Sequence, residues 1–292
     1  MAFSTGKLQR ASQWLSVFII CIGFAMTTVA QSDSTWSTEV YGTVSVSQVG
    51  FWRWYEGGIS SLALGTNLSG KATKTSRDVQ QEYEARLTFG VVKQDGIELR
   101  KSDDLIQLQG AFKFSEISVF GELNPALSVD IRSQFAKGYQ YDEKDLTKKG
   151  IRISGFLSPA IVTQTIALNY PAKSWLNIRL GMAAKQTIVT IKDLRSRYKV
   201  SQDQIIRWQV GSAGHINFER TIFTNVHLKS ILTLFLAFNQ QSPDSIWETF
   251  LTMKVNSWLQ VNAEYTALYD RDLATYVQQK QLLTLGVSFK VL

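Results

Sequence analysis

Apolar and polar side chains alternate with a period of two along most of this chain, most cleanly between Asn225 and Val291. Val226, Leu228, Ser230, Leu232, Leu234, Leu236 and Phe238 form one phase, and His227, Lys229, Thr233 and Ala237 sit in the other. The alternation returns in Trp247, Thr249, Leu251, Met253 and Val255, then in Leu259, Val261, Ala263, Tyr265, Ala267 and Tyr269, and last in Leu283, Leu285, Val287, Phe289 and Val291. A period of two puts alternate side chains on opposite faces of a β-strand. Each run is about ten residues or more, the reach of a tilted strand across a bilayer, against about 5–6 residues for a strand in a soluble domain. The expected fold is all-β: a single antiparallel transmembrane β-barrel.

Earlier runs extend the count. Val40 to Val46, Leu62 to Ala72, Tyr83 to Val91, Ile106 to Phe114, Val119 to Ile131, Pro159 to Tyr170, Leu176 to Ala184 and Ile206 to Phe218 all alternate, giving about twelve strands, an even number as in bacterial single-chain barrels. The connections alternate in length. Long ones are expected near 51–58, 92–104, 135–158, 186–204 and 270–280, and short ones near Phe114–Ile117, Pro171–Ser174 and Asn256–Trp258. Short periplasmic turns and long outer loops have this phase when both chain ends are periplasmic. Two connections break it, a short outer one near Asn239–Ser245 and a longer periplasmic one near Glu219–Asn225. Aromatic residues gather at strand ends, Tyr170, Trp175, Phe223 and Trp258 on one side and Trp208, Trp247 and Tyr269 on the other, as in interfacial girdles. A secreted β-sandwich shares the alternation but leaves strand length and loop phase unexplained.

The first 30 residues change the picture of location. Lys7 and Arg10 precede an apolar segment from Trp14 to Met26, and Thr28, Val29 and Ala30 precede Gln31, the order of a cleaved secretory signal. The expected domains are therefore a signal peptide at 1–30 and a barrel at 31–292, in the cell outer membrane. Loss of Lys7 and Arg10 takes the formal net charge from +7 to +5, and the single cysteine, Cys21, leaves with the leader. A lipoprotein anchor at Cys21 is disfavoured by Ile20 before it. A cysteine-free exported chain needs another source of stability, and a closed hydrogen-bonded barrel supplies one. No later window holds about twenty consecutive apolar residues, so a helical membrane protein is excluded. The pI of 9.4 comes from scattered charges without a basic run or binding motif, which gives no case for nucleic acid.

Candidate chemistry is sparse. Two histidines, His215 and His227, and no mature cysteine leave a zinc site short of ligands, and both histidines flank a periplasmic connection, away from the rim where an outer-membrane hydrolase would act. The expectation is a non-enzyme with no cofactor and no metal. Lys101, Asp103 and Asp104 read as a loop charge cluster. The basic residues Arg100, Lys148, Lys149, Arg152, Arg195 and Arg197 suit lipid phosphates at the outer leaflet. Charge is costly in lipid, so the ionisable residues in the wet phase are expected to line the lumen: Glu82, Glu84, Arg86, Glu122, Asp130, Arg132, Arg179, Arg207, Glu248, Lys254 and Glu264, with Lys113, Lys185 and Lys229. Opposite charges across a narrow lumen form a plug as readily as a pore.

Four stretches resemble one bacterial family. They are Trp54, Gly57, Gly58, Ser60 and Ser61; the run Arg100 to Asp104; Ser154 to Ala160; and Trp247, Glu248, Leu251 and Met253 to Asn256. Together they resemble the domain of unknown function 3078 family, presumed outer-membrane proteins of Bacteroidota-like bacteria. The resemblance implies fold and location, and no activity. Two functions fit: a narrow passive channel for small polar or anionic solutes, or a structural or partner-binding barrel with a plugged lumen and recognition by outer loops, above all Phe135 to Pro159 with Tyr139 and Tyr141. The expected partners are outer-membrane lipid, the barrel-assembly machinery and a protein at the outer loops.

Overall fold

A computed structural model describes residues 36–49, 60–142 and 150–290. The signal-peptide expectation at 1–30 and the 51–58 connection lie outside the described residues. Fourteen strands follow in chain order: β1 (Trp36–Val49), β2 (Ser61–Thr75), β3 (Val79–Gln94), β4 (Ile97–Phe114), β5 (Asn124–Ser133), β6 (Gly138–Gln140), β7 (Ile151–Ser154), β8 (Ala160–Lys173), β9 (Leu176–Ile188), β10 (Ile206–Phe223), β11 (Val226–Ala237), β12 (Asp244–Lys254), β13 (Leu259–Tyr269) and β14 (Gln278–Lys290). Twelve of them close into an antiparallel barrel in the order β1-β14-β13-β12-β11-β10-β9-β8-β5-β4-β3-β2, and β6 pairs with β7 in an outer loop. Every barrel strand except β5 and β8 pairs with its sequence neighbours, so nearly all backbone hydrogen bonds close between adjacent chain segments and no edge is left facing hydrocarbon along the paired length. Among the described residues no helix is long and apolar enough to cross a membrane.

The period-two reading fixes which face is which. Ile166, Leu180 and Leu283 are 71%, 63% and 73% exposed, all on the outer face, while Lys185, Gln209 and Glu248 are buried on the inner one. A water-soluble fold shows the opposite arrangement; an apolar exterior over a charged interior is what lipid selects. Trp247 and Tyr265 meet edge to face, 5.7 Å between ring centres, and Trp247 Nε1 donates to Ser230 Oγ at 2.9 Å, which holds a girdle ring half in lipid.

Three expected connections are redrawn. The 92–104 segment is no loop: β3 and β4 continue through it and join by a tight turn at Asp95 and Gly96, where Gly96 has φ +76°. The Asp-Gly pair is a hairpin signal, and only glycine adopts that φ without strain. The register shifts between Gly90 and Val91, so the ribbon bends as it leaves the barrel. The 219–225 connection is a tight turn too, because β10 runs on to Phe223 and Asn225 takes φ 63°. Conversely, the strand expected over Val119–Ile131 begins only at Asn124, and residues 115–123 form a longer connection held by Asn124 Nδ2, which donates to the Ser115 and Ile117 carbonyls. The barrel closes between β1 and β14 over Tyr41–Ser45 and Gly286–Lys290, whereas β1 pairs with β2 along its whole length from Trp36 to Val49.

Candidate functional site: a lumen divided by ion pairs

The inward charges do not line an open bore. Arg86 on β3 donates through Nη2 to Glu264 on β13 at 2.5 Å, and its Nη1 lies 4.0 Å from Glu248 on β12. Arg132 on β5 donates to the same Glu248 carboxylate at 3.1 Å. One level away, Lys229 on β11 donates to Glu84 on β3 at 2.8 Å, and Lys71 on β2 lies 3.6 Å from Glu84 and 3.8 Å from Glu219. Apart from Lys71–Glu84, which are register partners on the neighbouring strands β2 and β3, these contacts join strands across the barrel. The Arg86 guanidinium also lies over the Phe250 ring, 4.2 Å from its centre, so the cation is fixed by a face as well as by its partners. Long side chains of opposite sign meeting mid-lumen neutralise each other and order the interior.

This layer leaves space on both sides. A cavity of about 1100 Å³ runs along β1–β3 and β11–β14, from Asn225, Asn256 and Trp258 in the turns at one end to Ser102 and Asp103 towards the other. Its charged lining is five basic residues (Lys71, Arg86, Lys229, Lys254, Lys290) and six acidic ones (Glu39, Glu84, Asp103, Glu219, Glu248, Glu264). Near its outer end Lys280 on β14 reaches across to both Asp103 oxygens on β4, at 2.7 and 2.8 Å. A second cavity of about 190 Å³ lies between β5 and β8–β12.

Most of the candidate lumen residues sit in the inward phase of their strands. Glu84, Arg86, Glu248 and Glu264 meet in the ion-pair layer with Arg132, and Lys254 lines the large cavity at the exposed end of β12. Glu82 pairs locally with Lys113 at 2.7 Å. Arg207 is drawn to the outer end, where Asp272 accepts from it at 2.5 Å. Asp130 and Arg179 line the small cavity. Glu122 is a correction: it lies in the exposed turn before β5, because that strand starts two residues later. Sequence reasoning missed Lys280, Asp270 and Asp272, which sit where alternation has faded, and left Lys71 and Glu219 out of the inward set although both lie in the wet phase.

Other singled-out groups have structural roles. His215 Nδ1 lies 3.3 Å from Thr233 Oγ1, and His227 lies 3.3 Å from Glu219, so the two histidines are apart. Among the described residues no group of three or more His, Cys, Asp or Glu side chains could hold a metal. Lys101 and Asp104 are not solvated. Lys101 Nζ donates to Asp104, Gln134 and the Ala136 carbonyl at 2.9, 2.9 and 3.1 Å, and Asp104 accepts from the Phe135 and Ala136 amides at 2.7 and 2.8 Å. The pair clamps the root of the 134–159 loop. The neighbouring loop has its own small core of Val189, Leu194 and Val200, and the Tyr198 hydroxyl donates to the Ile153 carbonyl at 2.7 Å, tying the two loops together. Burial pushes the Tyr198 phenol above its ordinary value.

Replacing Asp104 by alanine removes two charge-assisted backbone hydrogen bonds and leaves Lys101 without its carboxylate, together about 2–3 kcal/mol of local stability. The expected outcome is trypsin cleavage at Lys137 and Arg152 at least about tenfold faster, with heat-dependent gel mobility unchanged because the barrel ladder is untouched. Equal cleavage rates would show that the loop is held by something else.

A closed twelve-stranded antiparallel barrel, apolar outside and charged within, belongs to the class of outer-membrane-type β-barrels. The family model described as protein of unknown function (DUF3078) matches residues 46–139, from the outer part of β1 to β6. Solved structures of similar architecture include the translocator domain of autotransporter NalP from Neisseria meningitidis, at 7% identity over 97% of this chain and 97% of that one with a TM-score of 0.33. Another is an outer-membrane channel from Pseudomonas putida F1, at 12% identity over 90% of this chain and 99% of that one with a TM-score of 0.37. No curated protein matches the sequence.

Proposed function

We propose that this protein resides in the outer membrane, inserted there by the barrel-assembly machinery, as a non-enzymatic conduit for small polar solutes. The path is the large cavity beside the ion-pair layer rather than the whole bore. The observation that carries this reading is the extent of that cavity, from the turns at Asn225, Asn256 and Trp258 to Ser102 and Asp103, with the cross-lumen pairs of Arg86, Glu84, Lys229, Glu248 and Glu264 forming part of its lining rather than filling it. A path this narrow passes hydrated ions and small neutral solutes and excludes bulky ones. Its lining carries slightly more acid than base, so the basic excess of the chain does not make it an anion channel; the expected selectivity is weak and towards cations. Asn67 Nδ2 donates to Thr88 Oγ1 at 3.0 Å on the cavity wall, and neither side chain takes part in an ion pair, which makes Asn67 the place to block.

The test combines fractionation with planar-bilayer recording. The mature protein is expected in the outer-membrane pellet, with small steady conductance steps that Asn67→Trp abolishes and Asn67→Ala leaves intact. A silent barrel would overturn the conduit and favour the second reading, a partner-binding barrel. That reading is supported by the loop platform itself, in which Arg100 stacks 3.6 Å from the Tyr141 ring centre and Tyr139 lies against Tyr141.

A further inference from the structure

The small cavity holds two opposite charges that face the same space without pairing. Four acidic and three basic side chains line it: Asp130, Asp244, Glu248 and Asp270 against Arg132, Arg179 and Lys185. Within this set Arg132 is paired with Glu248 at 3.1 Å, and Lys185 with Asp244 at 2.8 Å and Asp270 at 3.8 Å. Arg179 and Asp130 remain, neither of them in an ion pair. The Arg179 Nε and Nη1 atoms are buried without a hydrogen-bond partner among the described residues, and Asp130 accepts only an amide, from Gln109 Nε2 at 2.7 Å. Guanidinium nitrogens held away from water without acceptors are costly, by more than a neutral group in the same position, although the Arg179 side chain as a whole is only half-buried. β9 carries Arg179 and β5 carries Asp130 with β8 between them, so the two charges sense each other across the cavity but make no ion-pair contact within 4.0 Å.

From this we infer a binding site for a small zwitterion, a molecule carrying one carboxylate-like anion and one ammonium-like cation a few bonds apart. The anion is received by Arg179, whose planar fork suits a carboxylate. The cation is received by Asp130, whose Gln109 contact leaves lone pairs free. The walls have the right grain for such a guest. Ala126, Ala167 and Ala213 keep the space open, and the Thr163 and Thr165 hydroxyls face it from β8 as neutral hydrogen-bonding groups. A simple anion would meet Asp130 with the wrong sign, and a simple cation would meet Arg179; a zwitterion satisfies both. The site lies on the other side of the ion-pair layer from the proposed path, and its occupancy does not depend on whether that path conducts.

Titration calorimetry on the purified barrel in detergent at neutral pH tests this, with glycine, β-alanine and γ-aminobutyrate as probes of rising charge separation and with propionate and propylamine as singly charged controls. At least one zwitterion is expected to bind at least about tenfold more tightly than either control, a gap of about 1.4 kcal/mol. Arg179→Gln and Asp130→Asn, which keep side-chain shape, are each expected to erase that gap while heat-dependent gel mobility stays as in the parent. Absence of zwitterion binding, or propionate binding as tightly as the best zwitterion, overturns the site. If either variant fails to fold, the comparison of zwitterions with their singly charged controls on the parent protein decides alone.

Discussion

Arginine at Leu251 or Ala263 is expected to destabilise the barrel by about 2–4 kcal/mol, whereas arginine one residue along, at Thr252 or Asn262, costs far less. The two pairs are adjacent rungs of the same ladder: Leu251 is the register partner of Ala263, and Thr252 of Asn262. Backbone pairing, strand propensity and neighbours are nearly shared, so the difference isolates which way the side chain points. Leu251 and Ala263 point to lipid, where a guanidinium must be dragged towards the interface or desolvated. Thr252 and Asn262 share the inward phase of Glu248 and Glu264, on the face where water and carboxylates receive it. Leu234 and Leu285 on the outside, and Thr233 on the inside, extend the comparison to β11 and β14. Denaturant unfolding in vesicles, followed by heat-dependent mobility, measures it. Equal losses in both phases would mean that the outer face does not see lipid.

That contrast was legible in the sequence because lipid and water are different solvents on the two sides of one strand, and alternation records the difference directly. Where the contrast ends, so does the record. From Val91 to Arg100 both faces of the β3–β4 ribbon are wet, so alternation fades although the strands continue, and the segment reads as loop; the Asp95-Gly96 turn was the local sign that it is not. Glu122 shows the opposite error. Its phase matches Asp130 and Arg132 if β5 is carried backwards, but Gly121, at φ +59°, bends the chain just before the strand begins.

Inward phase was readable for single residues; partnership was not. Arg86 and Glu264 are 178 residues apart, and Lys229 and Glu84 are 145 apart. Which inward residues share a level depends on the stagger of twelve strands, and a small error in any one register displaces every pairing after it. The same ambiguity kept the plugged barrel open at the level of sequence as the alternative to a narrow channel. The folded lumen holds both features, ion pairs that cross it between β3, β5 and β11–β13 and a cavity of about 1100 Å³ beside them.

Glu248 is the side chain on which this division turns, and its loss is expected to cost more than that of any other inward charge. It is 5% exposed and lies within 4.0 Å of two guanidinium groups, Arg86 and Arg132. Replacing it with alanine leaves both cations facing the interior with one carboxylate, Glu264, between them, a loss of about 3 kcal/mol or more for a buried pair broken from one side. The penalty comes from the stranded charges rather than from the lost attraction. Accordingly the triple replacement of Glu248, Arg86 and Arg132 by alanine, which strands Glu264 alone, is expected to be less destabilised than Glu248→Ala by itself, despite removing more contacts. It also merges the two cavities, so its conductance in planar bilayers is expected to rise several-fold over the parent, while Glu248→Ala raises it less because the arginines still obstruct the bore. A triple variant that is weaker than the single one, with conductance unchanged, would show that these residues stabilise the wall independently and do not divide the lumen.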